Sequence, residues 1–264
     1  MKTVNFVNKS RIARILVAYK LKINCMWTQR TELLVSKEGV NKLKNASVLI
    51  VGLGGVGGMA AEMICRAGVG QMTIIDRDTV SETNINRQIV ALHSTVNQSK
   101  AEVLALRLRD INPELKLQVI NDWLEESNTL EILKSGNFDY VVDAIDTLSP
   151  KVFLIKSCVE NGVSIVSSMG SGAKMDASRV KVTDISKTNY CPLAKAVRQR
   201  LAKLGIKKGV AVVYSDETAR KESVIETDEK YKKSSTGTIS YMPALFGLLL
   251  ASEVINGILN AREA

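Results

Sequence analysis

The chain alternates short apolar, β-branched runs with longer amphipathic segments, beginning at Ser47–Val51. Runs of this kind form buried strands of a parallel sheet, and the longer segments form the helices that cover it. The predicted strands are Ser47–Val51, Met72–Ile75, Leu117–Ile120, Phe138–Ala144 and Val163–Ser167, with helices at Met59–Ala67, Gln98–Arg109 and Pro150–Asn161. The alternation predicts a Rossmann-like α/β fold, with a mostly parallel sheet and helices on both faces.

The pattern changes in the last third of the chain. Arg179–Thr183 and Val210–Tyr214 are strand-like runs outside the β-α-β alternation, and they predict an antiparallel extension at the C-terminal end of the fold. The stretch Asp216–Gly237 is charged and polar, so we expect a mobile loop there.

Two segments carry features of membrane or export sequences, and neither satisfies the full pattern. Ile239–Leu259 is apolar, but Pro243 and Glu253 fall inside it, which favours a buried core helix over a membrane span. Residues 1–25 hold six basic residues and no acid, and the apolar stretch Ile15–Tyr19 is too short for a signal peptide. We expect a disordered basic extension there, with synthesis starting either at Met1 or at Met26.

Residues 26–264 are predicted to form one α/β domain, which opens with two short helices at Trp27–Val35 and Lys37–Leu43. The formal net charge is +9, and six of these charges lie in residues 1–25. The charge of the remaining body therefore says little about nucleic acid.

A glycine-rich turn follows the first strand. It reads Gly-Leu-Gly-Gly-Val-Gly, and its glycines are Gly52, Gly54, Gly55 and Gly57. Without side chains they let the backbone approach a phosphate, and the following helix supplies free N–H groups. Asp76 ends the next strand about 20 residues on, where an acid hydrogen-bonds a ribose. The layout predicts a nucleotide site, and NAD, FAD and ATP all remain open.

Polar groups follow this acid closely. Asp78 comes two residues later, and Asn84, Arg87 and Gln88 lie in the run Asn-Ile-Asn-Arg-Gln. Lys100 lies in the first turn of a predicted helix, where a cation opposes the helix dipole.

Asp146 follows the fourth strand, in the run Asp-Ala-Ile-Asp. Ligands of open parallel sheets bind beyond the carboxyl ends of the strands. Gly52, Asp76 and Asp146 all lie at such ends, so we expect them to converge on one crevice.

Cysteine and histidine are too sparse for several kinds of site. The four cysteines are scattered without a C-x-x-C pair, which argues against a thiolate zinc site and a disulfide framework and favours a reduced, cytoplasmic compartment. The single histidine, His93, is expected at the surface or in a loop.

A basic stretch runs from Ile185 to Ser215, with seven basic residues and no acid. An apolar stripe at helical spacing runs through it, and Lys195, Arg198, Lys203 and Lys207 point away from that stripe. Such a face is either solvated or a nucleic-acid contact, and the charges alone leave both open.

Together these motifs resemble the ubiquitin-activating-enzyme-like (ThiF-type) family of ATP-dependent adenylating enzymes, from Met26 to the C-terminus. The resemblance implies that residues 26–170 form an ATP-binding half and 171–264 a half that binds substrate and tRNA. It implies that Arg87 and Lys100 bind the phosphates, that Asp146 binds Mg²⁺ and that Asp76 binds the ribose. Asn84 and Gln88 would steady the triphosphate.

By the same resemblance, Arg30 reaches the phosphates of a neighbouring subunit, which implies a homodimer. Many relatives have an arginine near position 27, where this chain has Trp27, so part of that contact departs from the family pattern. Cys191 occupies a position to which the resemblance gives no role.

Four runs are similar to the branch of the family that cyclises threonylcarbamoyladenosine in tRNA. They are Arg30–Leu34, Val182–Thr188, Pro192–Lys195 and Val212–Ser215. That reaction adenylates a carboxylate and needs no protein nucleophile, because the substrate's own carbamoyl group attacks. The basic stretch would then bind the anticodon arm of tRNA, and a sulfur-relay protein is a further conceivable partner.

Three alternatives stay open at this stage. Adenylation of a ubiquitin-like sulfur-carrier protein uses the same core motifs. An NAD(P)-dependent oxidoreductase would leave Arg87, Lys100 and Asp146 without a purpose. A non-catalytic RNA-binding module would not hydrolyse ATP.

Overall fold

The structure is a computed structural model that describes residues 27–229 and 232–261. The predicted basic extension over residues 1–25, and the alternative start at Met26, lie outside the described residues. Packing divides the chain into two units, one ending at Lys42 and the other starting at Leu43. The sheet and its cleft belong to the second unit.

The first helical segment, α1, spans Gln29–Asn45 and is broken at Ser36, where φ is 65° and ψ is 170°. A serine in this left-handed region interrupts the helical hydrogen bonding. Its hydroxyl accepts a hydrogen bond from Gly39 N at 3.5 Å, at the start of the second part. The break falls between the two helices that the sequence predicts.

A seven-stranded sheet forms the centre of the second unit, in the strand order β3-β2-β1-β4-β5-β7-β6. Six strands are parallel, and β6 runs antiparallel to β7 at one edge. This confirms the mostly parallel sheet and its antiparallel C-terminal extension. The strands are β1 Ser47–Val51, β2 Gln71–Ile75, β3 Lys116–Ile120, β4 Tyr140–Asp143, β5 Ser164–Ser168, β6 Val180–Asp184 and β7 Ala211–Ser215.

Helices cover both faces of the sheet, as predicted. The later helices are α2 Gly57–Ala67, α3 Lys100–Ile111, α4 Glu126–Gly136, α5 Leu148–Glu160, α6 Pro192–Lys203 and α7 Tyr241–Asn260. Alternate residues of one strand enter different cores: Ile50 packs with α2, α3 and α7, whereas Leu49 packs with α5 and α6. Only α4 was not anticipated; it buries just two residues, Thr129 and Leu133, so its periodicity is weak.

Helix α7 is long and apolar enough, by length and composition, to cross a membrane, with a mean hydropathy of 1.7. In the structure it packs inside the protein. A Cβ on Gly247 would stand 2.4 Å from Val56 O, and one on Gly257 would stand 2.6 Å from the Tyr140 ring. Phe246 and Leu250 are fully buried. The expectation of a core helix is confirmed.

The mobile loop predicted over Asp216–Gly237 is wrong for much of its length. Val224–Glu229 (β8) and Lys232–Thr236 (β9) pair as an antiparallel two-stranded ribbon. Charge does not prevent such a ribbon, because antiparallel strands satisfy each other's backbone groups while a face meets water.

Candidate active site

A cavity of about 760 Å³ lies beyond the carboxyl ends of the parallel strands. The predicted convergence of Gly52, Asp76 and Asp146 is present in its wall. The sequence-predicted residues that line it are Gly52, Gly54, Gly55, Asp76, Asp78, Asn84, Arg87, Gln88, Lys100 and Asp146.

The glycine turn needs its glycines for two different reasons. Gly52 has a φ of 86°, and a Cβ there would stand 2.8 Å from Ala144 O. Gly57 begins α2 and does not line the cavity; a Cβ there would stand 1.7 Å from Gly52 O. The N-cap position Val56 offers no capping side chain. Gly58 N donates to Gly54 O at 3.0 Å, and the other N–H groups of the first turn of α2 can serve an anion.

Asp76 holds the glycine turn in shape. Its Oδ2 accepts a hydrogen bond from Leu53 N at 2.6 Å, and its Oδ1 accepts one from Asp78 N at 2.8 Å. Burial raises the pKa of Asp76 above its usual value, while the Leu53 amide and the Lys100 charge act in the opposite direction. Each carboxylate oxygen has a further lone pair, so the group can also accept from a ribose hydroxyl.

Lys100 is only 6% exposed although it begins α3. Its Nζ donates to Asp78 Oδ2 at 2.8 Å, and its backbone N donates to Asp78 O at 3.0 Å. Asp78 therefore supplies the negative charge that is favourable at a helix N-terminus and that Lys100 itself does not provide. Helix propensity disfavours a lysine at this position, but Asp78, 22 residues earlier in the chain, holds Lys100 at the wall of the cleft.

Arg87 lies beside the glycine turn, where a Cβ on Gly55 would stand 3.0 Å from Arg87 O. It donates to Thr83 O at 2.9 Å and to Asn86 Oδ1 at 2.7 Å. Burial lowers the pKa of the Arg87 guanidinium, and the nearby carboxylate of Asp146 opposes this. The cation and the carboxylate thus face the same part of the cleft.

Two amides complete this wall. Asn84 Oδ1 accepts from Ser81 N at 3.2 Å and so shapes the polar turn. Gln88 is 8% exposed, and a Cβ on Gly54 would stand 3.6 Å from its Nε2. Its Oε1 is buried with no hydrogen-bond partner among the residues that the structure describes. A buried polar atom of this kind, beside the glycine turn, is suited to hydrogen-bond a ligand.

The sequence reasoning missed a buried ion pair beneath Asp146. Lys151 and Asp143 are both fully buried, with Nζ 2.7 Å from Oδ2. Ser167 Oγ donates to the same oxygen at 2.6 Å, and Asp143 Oδ1 accepts from Ile145 N at 3.1 Å. The pair thereby fixes the turn that presents Asp146. Its signal in the sequence was a lysine inside the apolar run that forms α5.

A stacked pair at the rim was also missed. The Arg77 guanidinium carbon lies 3.9 Å from the centre of the Trp123 ring, within cation–π distance. Both side chains line the cavity on the side of Asp76.

The four basic residues assigned to tRNA lie on or just beyond α6, but their surroundings differ. Lys195, Lys203 and Lys207 are exposed, and we call them the α6 lysines. Arg198 is half-buried and donates to the backbone carbonyl of Thr188 at 2.8 Å. Its guanidinium therefore ties α6 to the preceding turn.

Arg30 belongs to the first unit and is exposed on α1. His93 is exposed in a single 3₁₀ turn, His93–Thr95, as expected. The described cysteines Cys65, Cys158 and Cys191 are buried free thiols, and the last of them lines the cavity.

Within residues 27–229 and 232–261, no group of three or more His, Cys, Asp or Glu side chains could hold a metal ion by itself. The donor set suits a metal that arrives with a nucleotide. Mg²⁺ is commonly held by one or two carboxylates together with substrate phosphates, and Asp146 lies in the cleft wall.

Comparison with known proteins gives the same picture over almost the whole chain. The model of the ThiF family matches residues 28–264. The tRNA threonylcarbamoyladenosine dehydratase of Bacillus subtilis is 41% identical over 243 residues, covering 89% of this chain and 95% of that protein. The molybdopterin-synthase adenylyltransferase of Haemophilus influenzae is 34% identical over 168 residues, covering 63% and 68%.

A solved structure is similar at the level of the fold as well. The crystal structure of Escherichia coli tRNA N6-threonylcarbamoyladenosine dehydratase in complex with ATP has a TM-score of 0.82 and 34% identity, covering 89% of this chain and 94% of that one. Its complex with AMP has a TM-score of 0.79. By sequence and fold, this chain belongs to the ThiF family.

Proposed function

We propose that this chain uses ATP to cyclise the threonylcarbamoyl side chain of threonylcarbamoyladenosine in tRNA. The observation that carries the proposal is the cleft, where a glycine turn, a ribose-type acid, two cations and a carboxylate share one wall. Two relatives that cover 89% and 74% of this chain act, by their names, on this modified nucleoside in tRNA.

The chemistry begins with adenylation of the substrate carboxylate. The carboxylate oxygen attacks the α-phosphorus of ATP, and the bond to pyrophosphate breaks. Negative charge shifts along the phosphates, so catalysis requires fixed cations more than proton transfer. Arg87 and Lys100 are held by the chain in the cleft wall, and this supports their role in stabilising that charge.

Lys100 must exchange partners for this role. Its ammonium is bound to Asp78, whose side chain is 57% exposed. An exposed carboxylate is well solvated, so an incoming phosphate can bind Lys100 beside Asp78 or in its place at a modest cost in free energy. We assign Mg²⁺ to Asp146, whose carboxylate would hold the ion in the cleft wall; when bound, the ion would supply positive charge beside the phosphates.

The second step is ring closure. The carbamoyl group attacks the acyl carbon of the adenylate, AMP leaves, and a proton is lost from the carbamoyl group. The attacker is part of the same side chain, which gives it a high effective concentration. Cys65 and Cys158 lie in the two hydrophobic cores, and burial raises the pKa of each thiol to about 12. Neither is placed to act as a nucleophile.

The remaining partners follow from exposed surfaces. The α6 lysines offer positive charge to the anticodon arm of tRNA. On α1, Leu33 and Leu34 are 84% and 86% exposed, and Arg30 lies three and four residues before them on the same helical face. This supports a homodimer in which a second copy covers these leucines. We place the activity in the cytoplasm, where tRNA and ATP are present together.

Nucleoside mass spectrometry tests the proposal. Threonylcarbamoyladenosine-containing tRNA is incubated with the protein, ATP and Mg²⁺, digested and analysed. We expect a nucleoside lighter by one water, with AMP and pyrophosphate formed in equal amounts. The Lys100→Ala variant and unmodified tRNA are the controls. Unchanged nucleoside in a protein that binds ATP would refute the proposal.

A second function is supported by the relative named molybdopterin-synthase adenylyltransferase: adenylation of a ubiquitin-like sulfur-carrier protein. In that case pyrophosphate exchange would depend on an added carrier protein with a Gly-Gly tail and would be indifferent to tRNA. The two activities are separated by supplying each substrate alone.

A further inference from the structure

Lys174 is a buried cation that the roles assigned so far do not use. It is 3% exposed and follows the flexible run Gly170-Ser171-Gly172 after β5. Its Nζ donates to Ser215 O at 3.0 Å and to Glu217 O at 2.6 Å. Both acceptors are backbone carbonyls, so within the described residues no carboxylate is hydrogen-bonded to this ammonium.

An ammonium has three N–H groups, and two of them are used by these carbonyls. Burying a cation without a neutralising anion is costly, so such groups are rare unless they have a task. Glu217 also brings a carboxylate to this region, but that group accepts from Met175 N at 2.9 Å and from Asp176 N at 2.8 Å. Burial lowers the pKa of Lys174, while Cys191 and Glu217 oppose that change.

The position of Lys174 along the sheet edge is informative. The acid Asp76 follows β2, the glycine turn follows β1 and Asp146 follows β4. Next in the sheet come β5 and β7, and Lys174 links the carboxyl ends of these two strands. A nucleotide lying from β2 to β4 therefore has its reacting phosphate on the side that faces Lys174, and Lys174 lines the same cavity.

We propose that Lys174 is the residue that receives the carboxylate of the substrate and positions it for attack on ATP. The proposal rests on the proposed function. A carboxylate approaching a triphosphate is repelled by it, and a buried cation beyond the α-phosphate offsets that repulsion. The backbone carbonyls of Ser215 and Glu217 fix the direction of the ammonium, so its third N–H is offered to the cleft.

The test compares Lys174→Gln with Lys174→Arg. The amide of Gln can still donate to one carbonyl but carries no charge, whereas Arg keeps the charge. Lys116→Gln, at an exposed lysine on β3, is the matched control. The ligands are threonylcarbamoyladenosine and its methyl ester, which lacks the anion, and binding is measured by calorimetry with the ATP analogue AMPCPP and Mg²⁺ present.

We expect the wild type and Lys116→Gln to bind the acid about 10- to 100-fold more tightly than the ester, as a charged hydrogen bond implies. Lys174→Gln should bind the two equally, and Lys174→Arg should recover part of the preference. In turnover, Lys174→Gln should raise KM for the modified tRNA and leave the affinity for ATP unchanged.

Three outcomes would overturn the reasoning, two of them at Lys174 and one at the level of the proposed function. If Lys174→Gln keeps the wild-type preference for the acid over the ester, Lys174 serves only to hold the loop and the inference is wrong. The same conclusion follows if Lys174→Gln loses ATP affinity in step with the acid. If the wild type forms no AMP from modified tRNA, the proposed function fails before this residue is tested.

Discussion

Replacing Lys151 by methionine should destabilise the protein strongly, because it leaves the carboxylate of Asp143 buried without its cation. Both groups are fully buried, and their charged atoms are 2.7 Å apart. Breaking a buried pair by removing one partner costs about 3–5 kcal/mol. For a unit of this size the melting temperature should fall by roughly 6–20 °C.

Two further variants separate the effect of the unpaired buried charge from other effects of the substitution. Lys156→Met changes a lysine of the same helix whose partner, Glu160, is 3.8 Å away and exposed, so stability should change by less than about 1 kcal/mol. Asp143→Asn combined with Lys151→Met removes both charges and keeps a group that can bond Ser167. We expect the double variant to recover most of the lost stability.

Urea denaturation followed by circular dichroism measures these differences. A Lys151→Met protein within 1 kcal/mol of the wild type would refute the reasoning, and so would a double variant less stable than the single one. Because Asp143 also accepts from Ile145 N beside Asp146, the single variant should lose adenylation activity at temperatures where it remains folded.

Three further predictions concern other parts of the molecule. Lys100→Ala should lower the rate constant of AMP formation by about 10² while leaving tRNA affinity unchanged in a filter-binding assay; Lys116→Ala, an exposed control, should change neither. Converting the three α6 lysines to glutamine should weaken tRNA binding and reduce the slope of log affinity against log salt concentration by about 2–3. A slope equal to that of the wild type would show that these lysines are solvated and do not contact tRNA. Cys65 should resist thiol reagents at pH 8 in the native protein, since a pKa of about 12 leaves almost no thiolate, and rapid labelling seen by peptide mapping would contradict its burial.

The sequence was informative wherever structure depends on burying apolar side chains. The five parallel β-branched runs became strands, and the apolar C-terminal segment became the core helix α7, because alternation and length are visible in one dimension. The glycine turn was predictable for a related reason: Gly52 has a positive φ, and Gly57 sits where a Cβ would collide with the backbone. Each of these requirements concerns a single position, so it can be recognised in the sequence.

The sequence was less informative about buried charges, since their partners are set by the tertiary fold. Lys151 pairs with an aspartate at the end of β4, and its position inside an apolar run indicates burial without identifying that partner. Arg198 was placed on an RNA face by its position opposite the apolar stripe, yet its guanidinium bonds to Thr188. The ribbon β8–β9 was missed because its stability comes from the pairing of its own strands.

Three lysines at or near the carboxyl edge of the sheet are almost completely buried, and their partners separate their roles. Lys151 has a buried carboxylate, so its charge is neutralised inside the fold and its task is structural. Lys100 has a carboxylate that is more than half exposed, so a phosphate can compete for it without stranding a buried anion. Lys174 donates to two backbone carbonyls, which orient an ammonium but do not cancel its charge. Lys100 and Lys174 are therefore the buried lysines whose charges can act on ligands in the cleft, the first on a triphosphate and the second on a carboxylate.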